Sequence, residues 1–258
     1  MLLTGDYHTH TPFSHGKNTV EENVQRAKEL GLKQIGISDH GFSHVAFGIR
    51  RNQVQDYRAE CKAAAEKYGI DVLVGIESNI LGLNGVADLR ASDYENFDLF
   101  LCGKHVFVWY DGLGNCLRYG GGNYFARNEK KISQKLIDNN TKAYLNVIKK
   151  NPIDAITHLN YLCRANALEV AKCAADYGTY IELNSKKTHL TDEQIMDMVL
   201  KTDVRFIVNS DAHSAARVGD TKRVEEQLAR LPDFPMDRID NIDGRFPNFR
   251  FTEFKKHL

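Results

Sequence analysis

Residues 2–40 read LLTGDYHTHTPFSHGKNTVEENVQRAKELGLKQIGISDH, and they contain one complete unit of the fold. Residues 2–7 form an apolar run of strand character. Thr19 then stands as a helix N-cap with Glu22 three residues on, the pattern of a capping box, and Gly31 supplies the stop. Residues 33–38 are apolar again and predict a second strand. Strand, helix and strand in this order make the repeating unit of a parallel sheet.

The alternation continues to the far end of the chain. Residues 52–68 place Val54, Tyr57, Cys61, Ala64 and Ala65 at helical spacing before Gly69. Strands are predicted at 71–78 and 98–103, with Asn84-Gly85 turn chemistry and a short segment, 91–96, between them. A long helix over 128–151 ends at Pro152. Strand 154–157, helix 165–177, strand 179–184, helix 191–202, strand 204–209 and helix 220–231 complete the series. Seven strands in a chain of 258 residues favour a closed α/β barrel in a single domain, 1–258, over an open sheet. A doubly wound sheet would place a Gly-rich phosphate turn after the first strand, where this chain has His8-Thr-His10. The Phe-rich tail, 232–258, is expected to pack on the barrel or on a neighbouring copy, so homo-oligomers stay open.

Charge and cysteine content narrow the function. Lys plus Arg equals Asp plus Glu at 34 each, which argues against long nucleic acid or an anionic membrane and for a small substrate. Five cysteines without a Cys-x-x-Cys pair fit a reducing compartment. No leader and no run approaching the roughly 20 apolar residues of a membrane span is visible. A soluble, cytoplasmic protein is expected.

Chemistry concentrates just after the strands. His8, His10 and His15 follow the first, His40 the second, Glu77 lies in the third, His105 follows the fourth, His158 the fifth, and Asp211 and His213 the last. A parallel barrel collects these strand ends on one face, and imidazole with carboxylate binds zinc, manganese or iron. In extended backbone His-x-His turns both rings to one side, where they can grip a single ion. The alternative, histidines hydrogen-bonded at strand ends, has to be repeated at position after position. Asp211-Ala-His213 repeats the device with a carboxylate, and Glu77 sits in a run apolar enough that an unpaired charge would be costly. Lys104, Arg164, Lys186 and Arg217 are candidates for a substrate phosphate, set against the plain reading of solvated loop charges. Asp39 either orients a neighbouring ligand or caps a loop. His44, His189 and His257 read as loop or terminal residues. Segment 106–127, rich in glycine and aromatics, is either a mobile lid or a surface hairpin.

The ordered set His8-Thr-His10, Ser14-His15-Gly16, Ser38-Asp39-His40-Gly41, Gly75-Ile-Glu77, Gly103-Lys-His105, Thr157-His158 and Asn209-Ser-Asp211-Ala-His213 resembles the polymerase-and-histidinol-phosphatase (PHP) family of phosphoesterases. The resemblance spans residues 6–219. It implies a distorted (β/α)7 TIM-like barrel holding three divalent metal ions, often Zn, Mn or Fe. It assigns His8, His10, Glu77 and Asp211 to one ion, Glu77, His105 and His158 to a second, and His15, His40 and His213 to a third. The implied activity is hydrolysis of a small phosphomonoester, with histidinol phosphate as the named candidate. Clustered divalent ions suit that chemistry independently, since they activate a bridging hydroxide and neutralise phosphoryl charge. Asp211 or a histidine such as His213 would protonate the leaving alkoxide. A nuclease or nucleotide phosphatase of the same kind and a non-catalytic, metal-stabilised barrel are the alternatives. The amidohydrolase barrels share the first His-x-His and nothing further.

Overall fold

Strands covered on both faces should read as unbroken apolar runs, and in the computed structural model, which describes residues 1–126 and 131–257, such runs form one parallel sheet. Its strands pair in chain order: β1 (Gly5–Thr9), β2 (Gln34–His40), β3 (Asp71–Asn79), β4 (Leu99–Gly103), β5 (Ala155–Ile156), β6 (Tyr180–Asn184) and β7 (Phe206–Asn209). The sheet curls into a nearly closed barrel. Helices α1 (Val20–Glu29) and α2 (Val54–Tyr68) follow β1 and β2. Thr19 and Glu22 form the expected capping box, and Gly69 ends α2 at a φ of 58°.

Between β3 and β4 the expected short segment is the 3₁₀ turn Ala91–Asn96. Two other connections differ from expectation. After β4, helical turns α3 (Leu113–Asn115), a π-helical stretch (Cys116–Gly121) and α4 (Gly122–Ala126) run on from one another, so segment 106–126 is not a hairpin. Helix α5 (Gln134–Lys150) starts six residues after position 128, because the Ser133 side chain caps it by accepting from the Leu136 amide at 3.3 Å. Positions 128–130 of the expected helix, and position 127 of the segment before it, lie outside the described residues. Helices α6 (Ala167–Tyr177), α7 (Asp192–Lys201), α8 (Lys222–Leu228) and α9 (Arg250–Lys255) complete the chain.

Two features of the barrel place the site. The β1–β2 register shifts between Asp6 and Thr9. Tyr7 therefore packs with Leu99, Leu101, Tyr180, Ile207 and Phe249 in an inner apolar cluster, while His8, its neighbour, also reaches inward to Glu77. The second feature is the seam between β1 and β7, which side chains close beside a main-chain bridge of Thr9 with Ala212. Asn241 donates to the carbonyls of Gly5 at 2.9 Å and Val208 at 2.6 Å and accepts from the Val208 amide at 2.9 Å. Asn209 accepts from the Tyr7 amide at 3.0 Å, and Asp6 accepts from the amides of Ser210 at 3.1 Å and Gly219 at 2.8 Å. The tail that carries Asn241 also buries Phe234, Phe249 and Phe251, and the Phe251 amide donates to Asp154 at 2.7 Å. Phe246 and Phe254 stay exposed.

Candidate metal centre

Glu77 ends an inward-facing row of β3 and lies fully buried under a ring of imidazoles. One carboxylate oxygen is 3.3 Å from His8 Nε2, 3.1 Å from His105 Nε2 and 2.7 Å from His158 Nε2, and the other is 2.8 Å from His40 Nδ1 and 3.7 Å from His10 Nε2. Asp211 faces the same rings from the β7 end, 3.5 Å from His10 Nε2. His15 and His213 complete the mouth, their ring centres 4.3 Å apart. All nine candidate ligands thus converge on one cavity of about 360 Å³, with His8 and His10 beneath its floor.

Many of the polar atoms facing this centre are left without hydrogen bonds, although His158 Nε2 meets one Glu77 oxygen at 2.7 Å. His8 Nε2, both ring nitrogens of His10, His40 Nδ1, His105 Nε2, His158 Nδ1 and one Glu77 oxygen are buried and unsatisfied. Several lie close together, as His40 does to Glu77, but none is aligned as donor to acceptor. Each such atom costs roughly 1–3 kcal/mol, and lone pairs converging without donors are what a cation relieves. Three ligand-atom groups lie within 4.8 Å: His8, His10 and Asp211; His40, Glu77 and His105; and His10, His40 and His213. His15 and His158 adjoin these groups, so the clusters differ in detail from the division the resemblance implies.

Burial resists charge throughout the site, and the imidazoles decide which groups keep it. Burial would raise the Glu77 pKa, but His105, His8, His40 and His158 together hold it well below the carboxylate range. Asp211 is likewise held low against burial, by His8 first. It is therefore ionised, the form in which a carboxylate binds metal. Burial lowers His15 and His105 to about 3 and His213 to about 4 and leaves them neutral near pH 7, the form that offers a lone pair to metal. His8 is the exception, since Glu77 and Glu182 outweigh its burial and raise it.

Glu182 of β6 is a residue the sequence reading passed over. It lies 2.7 Å from His8 Nδ1 and accepts from the His158 backbone amide at 2.8 Å, which fixes the His8 ring and the His158 main chain at once. Its signal was available, a lone carboxylate inside the buried run Tyr180–Asn184. Asn79, 2.8 Å from His105 Nδ1, and Asp88, which accepts from the Asn79 amide group at 2.6 Å, carry no comparable signal. Asp39 mainly clamps the loop after β1, accepting from the Thr11 amide at 2.8 Å, and lies 3.9 Å from His10 Nδ1. Partners of this kind set ring orientation and ligand basicity. Glu182→Ala is expected to weaken metal binding about 10- to 100-fold in a chelator-competition titration. An affinity equal to that of the unaltered chain would take Glu182 out of this role.

The basic candidates separate clearly. Lys186 lines the cavity with its ammonium 3.1 Å from Asp211 and 3.2 Å from His213 Nδ1. Lys104 does not reach the cavity. Its buried ammonium donates to the Tyr110 hydroxyl at 2.6 Å and to the His105 carbonyl and lies over the Tyr119 ring, and burial lowers its pKa to about 8. Arg217 pairs with Asp220 at 3.1 Å and donates to the Ser185 carbonyl at 3.3 Å, away from the lining. Arg164 lines a second, smaller chamber. His44 and His189, read as loop residues, form walls of the main cavity, while His257 is exposed. The segment after β4 is tied to the loop before α2 by Trp109 N to Ser43 O and Val45 N to Phe107 O, at 2.9 and 2.8 Å.

Comparison with known proteins accords with this geometry. The PHP domain model matches residues 6–186. A protein of Clostridium novyi (strain NT) named "Probable phosphatase" is 28% identical over 257 residues, covering 95% of this chain and 93% of that protein. A "Probable phosphatase" of Caldanaerobacter subterraneus subsp. tengcongensis is 29% identical over 246 residues, covering 92% and 85%. Among solved structures, histidinol phosphate phosphatase from Lactococcus lactis, complexed with zinc, L-histidinol and phosphate, superposes with a TM-score of 0.59 at 16% identity over 89% of this chain and 94% of that one. At that identity the likeness is one of fold.

Proposed function

The chain belongs to the PHP domain family, and from that premise we propose that it is a metal-dependent phosphoesterase that hydrolyses a small phosphomonoester. The observation that carries this reading is the convergence of unsatisfied nitrogens of His8, His10, His40 and His105 on the buried Glu77 carboxylate. His8, His10, Glu77 and Asp211 would hold one divalent ion, Glu77, His105 and His158 a second, and His15, His40 and His213 a third. The donor set suits Zn, Mn or Fe. Bound there, the ions lower the pKa of water and offset the charge that grows on phosphoryl oxygens.

The chain's own residues do the rest. Glu77 and Asp211 supply the negative charge of the ligand shell. Glu182 and Asn79 hold His8 and His105 in orientation. Lys186, at the mouth beside Asp211 and His213, is the cation placed to meet a substrate oxygen. Asp211 and His213 share that mouth and would pass to the leaving alkoxide a proton that they first accept from water. Formal neutrality fits a small ester better than a polynucleotide. Among the described residues no helix is long and apolar enough to cross a membrane, and the free thiols lead us to place the protein in a reducing compartment such as the cytoplasm.

Protein stripped with a chelator and reloaded separately with Mn, Zn or Fe, then assayed on a panel of phosphate esters, tests the proposal. Hydrolysis of at least one monoester, histidinol phosphate included in the panel, should return with metal and vanish without it. Cleavage of dinucleotides alone would move the activity to a nuclease, and turnover of nothing under any metal would reduce the site to a structural one.

A further inference from the structure

The metal cavity opens on a second chamber of about 180 Å³, and the two share Tyr161, Leu162, Lys187 and His189. Substrate whose phosphoryl group lies at the Glu77 centre must send its alcohol half past these shared residues. The rings of Tyr161 and His189 lie 4.8 Å apart and give a carbon chain an apolar surface. Lys187 stands at the junction, its backbone amide fixed by a 3.1 Å bond to Asn184 Oδ1. Among the described residues its ammonium has no ion pair and no hydrogen bond, unlike Lys186, which is drawn to Asp211.

The other lining groups point to the sign of the ligand. Among the described residues the carboxylates that line either chamber are Glu77 and Asp211, both committed to the imidazoles. In the second chamber the Asn123 amide is used up by the Tyr119 carbonyl and by Asn140, and Asn160 Oδ1 accepts from the Ala165 amide at 2.9 Å. An ammonium entering here meets the Lys187 cation and amide oxygens already engaged, whereas an anion meets a counter-charge in Lys187. We propose that this chamber is a leaving-group subsite for an alcohol that bears its own anionic group, a carboxylate or a second phosphate, held opposite Lys187. The inference rests on the phosphomonoesterase reading and narrows it. Histidinol phosphate, whose alcohol half carries an amine, falls on the unfavoured side.

A matched set of three-carbon monoesters tests it on metal-loaded full-length protein: 3-phosphooxypropionate, 1,3-propanediol bisphosphate, 1,3-propanediol monophosphate and 3-aminopropyl phosphate. One or both anionic esters should exceed the neutral one in kcat/KM by on the order of tenfold, the scale of a charge-assisted contact, and the amine should be poorest. Whichever anionic ester leads identifies carboxylate or phosphate as the natural group. Lys187→Gln should erase the preference, and Lys187→Glu should reverse it toward the amine; circular dichroism and metal content confirm that each variant folds and loads. Hydrolysis without preference for anions, or a preference that survives both substitutions, overturns this inference and leaves the phosphatase reading intact. Turnover of none of the four esters, nor of p-nitrophenyl phosphate, overturns both.

Discussion

Glu77→Gln is expected to remove bound metal and to lower kcat/KM for any phosphomonoester by on the order of 10³-fold, about 4 kcal/mol of lost charge stabilisation. The amide has nearly the shape of the carboxylate, so packing is kept and charge is what changes. His8, His105 and His158 approach one oxygen within 3.3 Å, and His40 lies 2.8 Å from the other. An amide leaves one acceptor for these rings and turns N–H donors toward nitrogens that need lone pairs free for metal. Glu77 and Asp211 are also the anions of the candidate ligand set, so the substitution removes about half of its negative charge. Elemental analysis of the purified variant beside its kinetics checks both effects. Full metal content with full activity would show that Glu77 does not bridge the centre, whereas full metal with lost activity would confine it to the chemical step.

That Glu77 was legible as a candidate ligand, and Glu182 was not legible as its support, shows where sequence reading stops. Each is a lone carboxylate within a buried strand, but Glu77 stands in a row of strand-end histidines, while Glu182 is recognised by the His8 ring and the His158 amide it holds across the barrel. The alternation of strands and helices was readable because capping and stop residues mark it locally, as Thr19, Glu22 and Gly69 do. The helical stretch 113–126 defeated the same logic. Its glycines suggest turns, yet Tyr119 is buried in the main core and Gly120 lies where a Cβ would come within 2.4 Å of the Tyr110 ring. Tertiary packing there overrides local propensity. Side-chain direction was equally hidden. Lys104 and Lys186 are both basic residues near strand ends, and only the packing of Tyr110 and Tyr119 shows that the first turns away from the cavity. The register shift in β1 has no sequence mark either, although it lets Tyr7 and His8 both face inward.

The seam of the barrel carries the second large effect, because it couples stability to the site. Asn241→Ala would leave the Gly5 carbonyl and both polar groups of Val208 buried without their partners, in a region where Asn241 and Val208 have no solvent exposure. At roughly 1–3 kcal/mol for each of these three groups the loss is about 3–9 kcal/mol, a large part of the roughly 5–15 kcal/mol that holds a domain together. The backbone carbonyl of Asn241 still accepts from the Thr4 amide at 2.8 Å, so the tail should remain docked and the loss fall at the lower end. For a chain of this size that corresponds to a fall in Tm of about 6–12 °C. His8 and His10 lie on the β1 side of this seam and Asp211 on the β7 side, joined by His10 N to Ala212 O at 2.8 Å and Ala212 N to His8 O at 3.1 Å. Loosening the seam should therefore weaken metal binding as well as lower Tm, and added metal should recover part of the lost stability by binding the native state alone. Thermal melts of metal-free and metal-loaded variant would decide the matter. A drop of less than about 2 °C in the metal-free protein would mean that the strand edges, and not this side chain, hold the barrel closed.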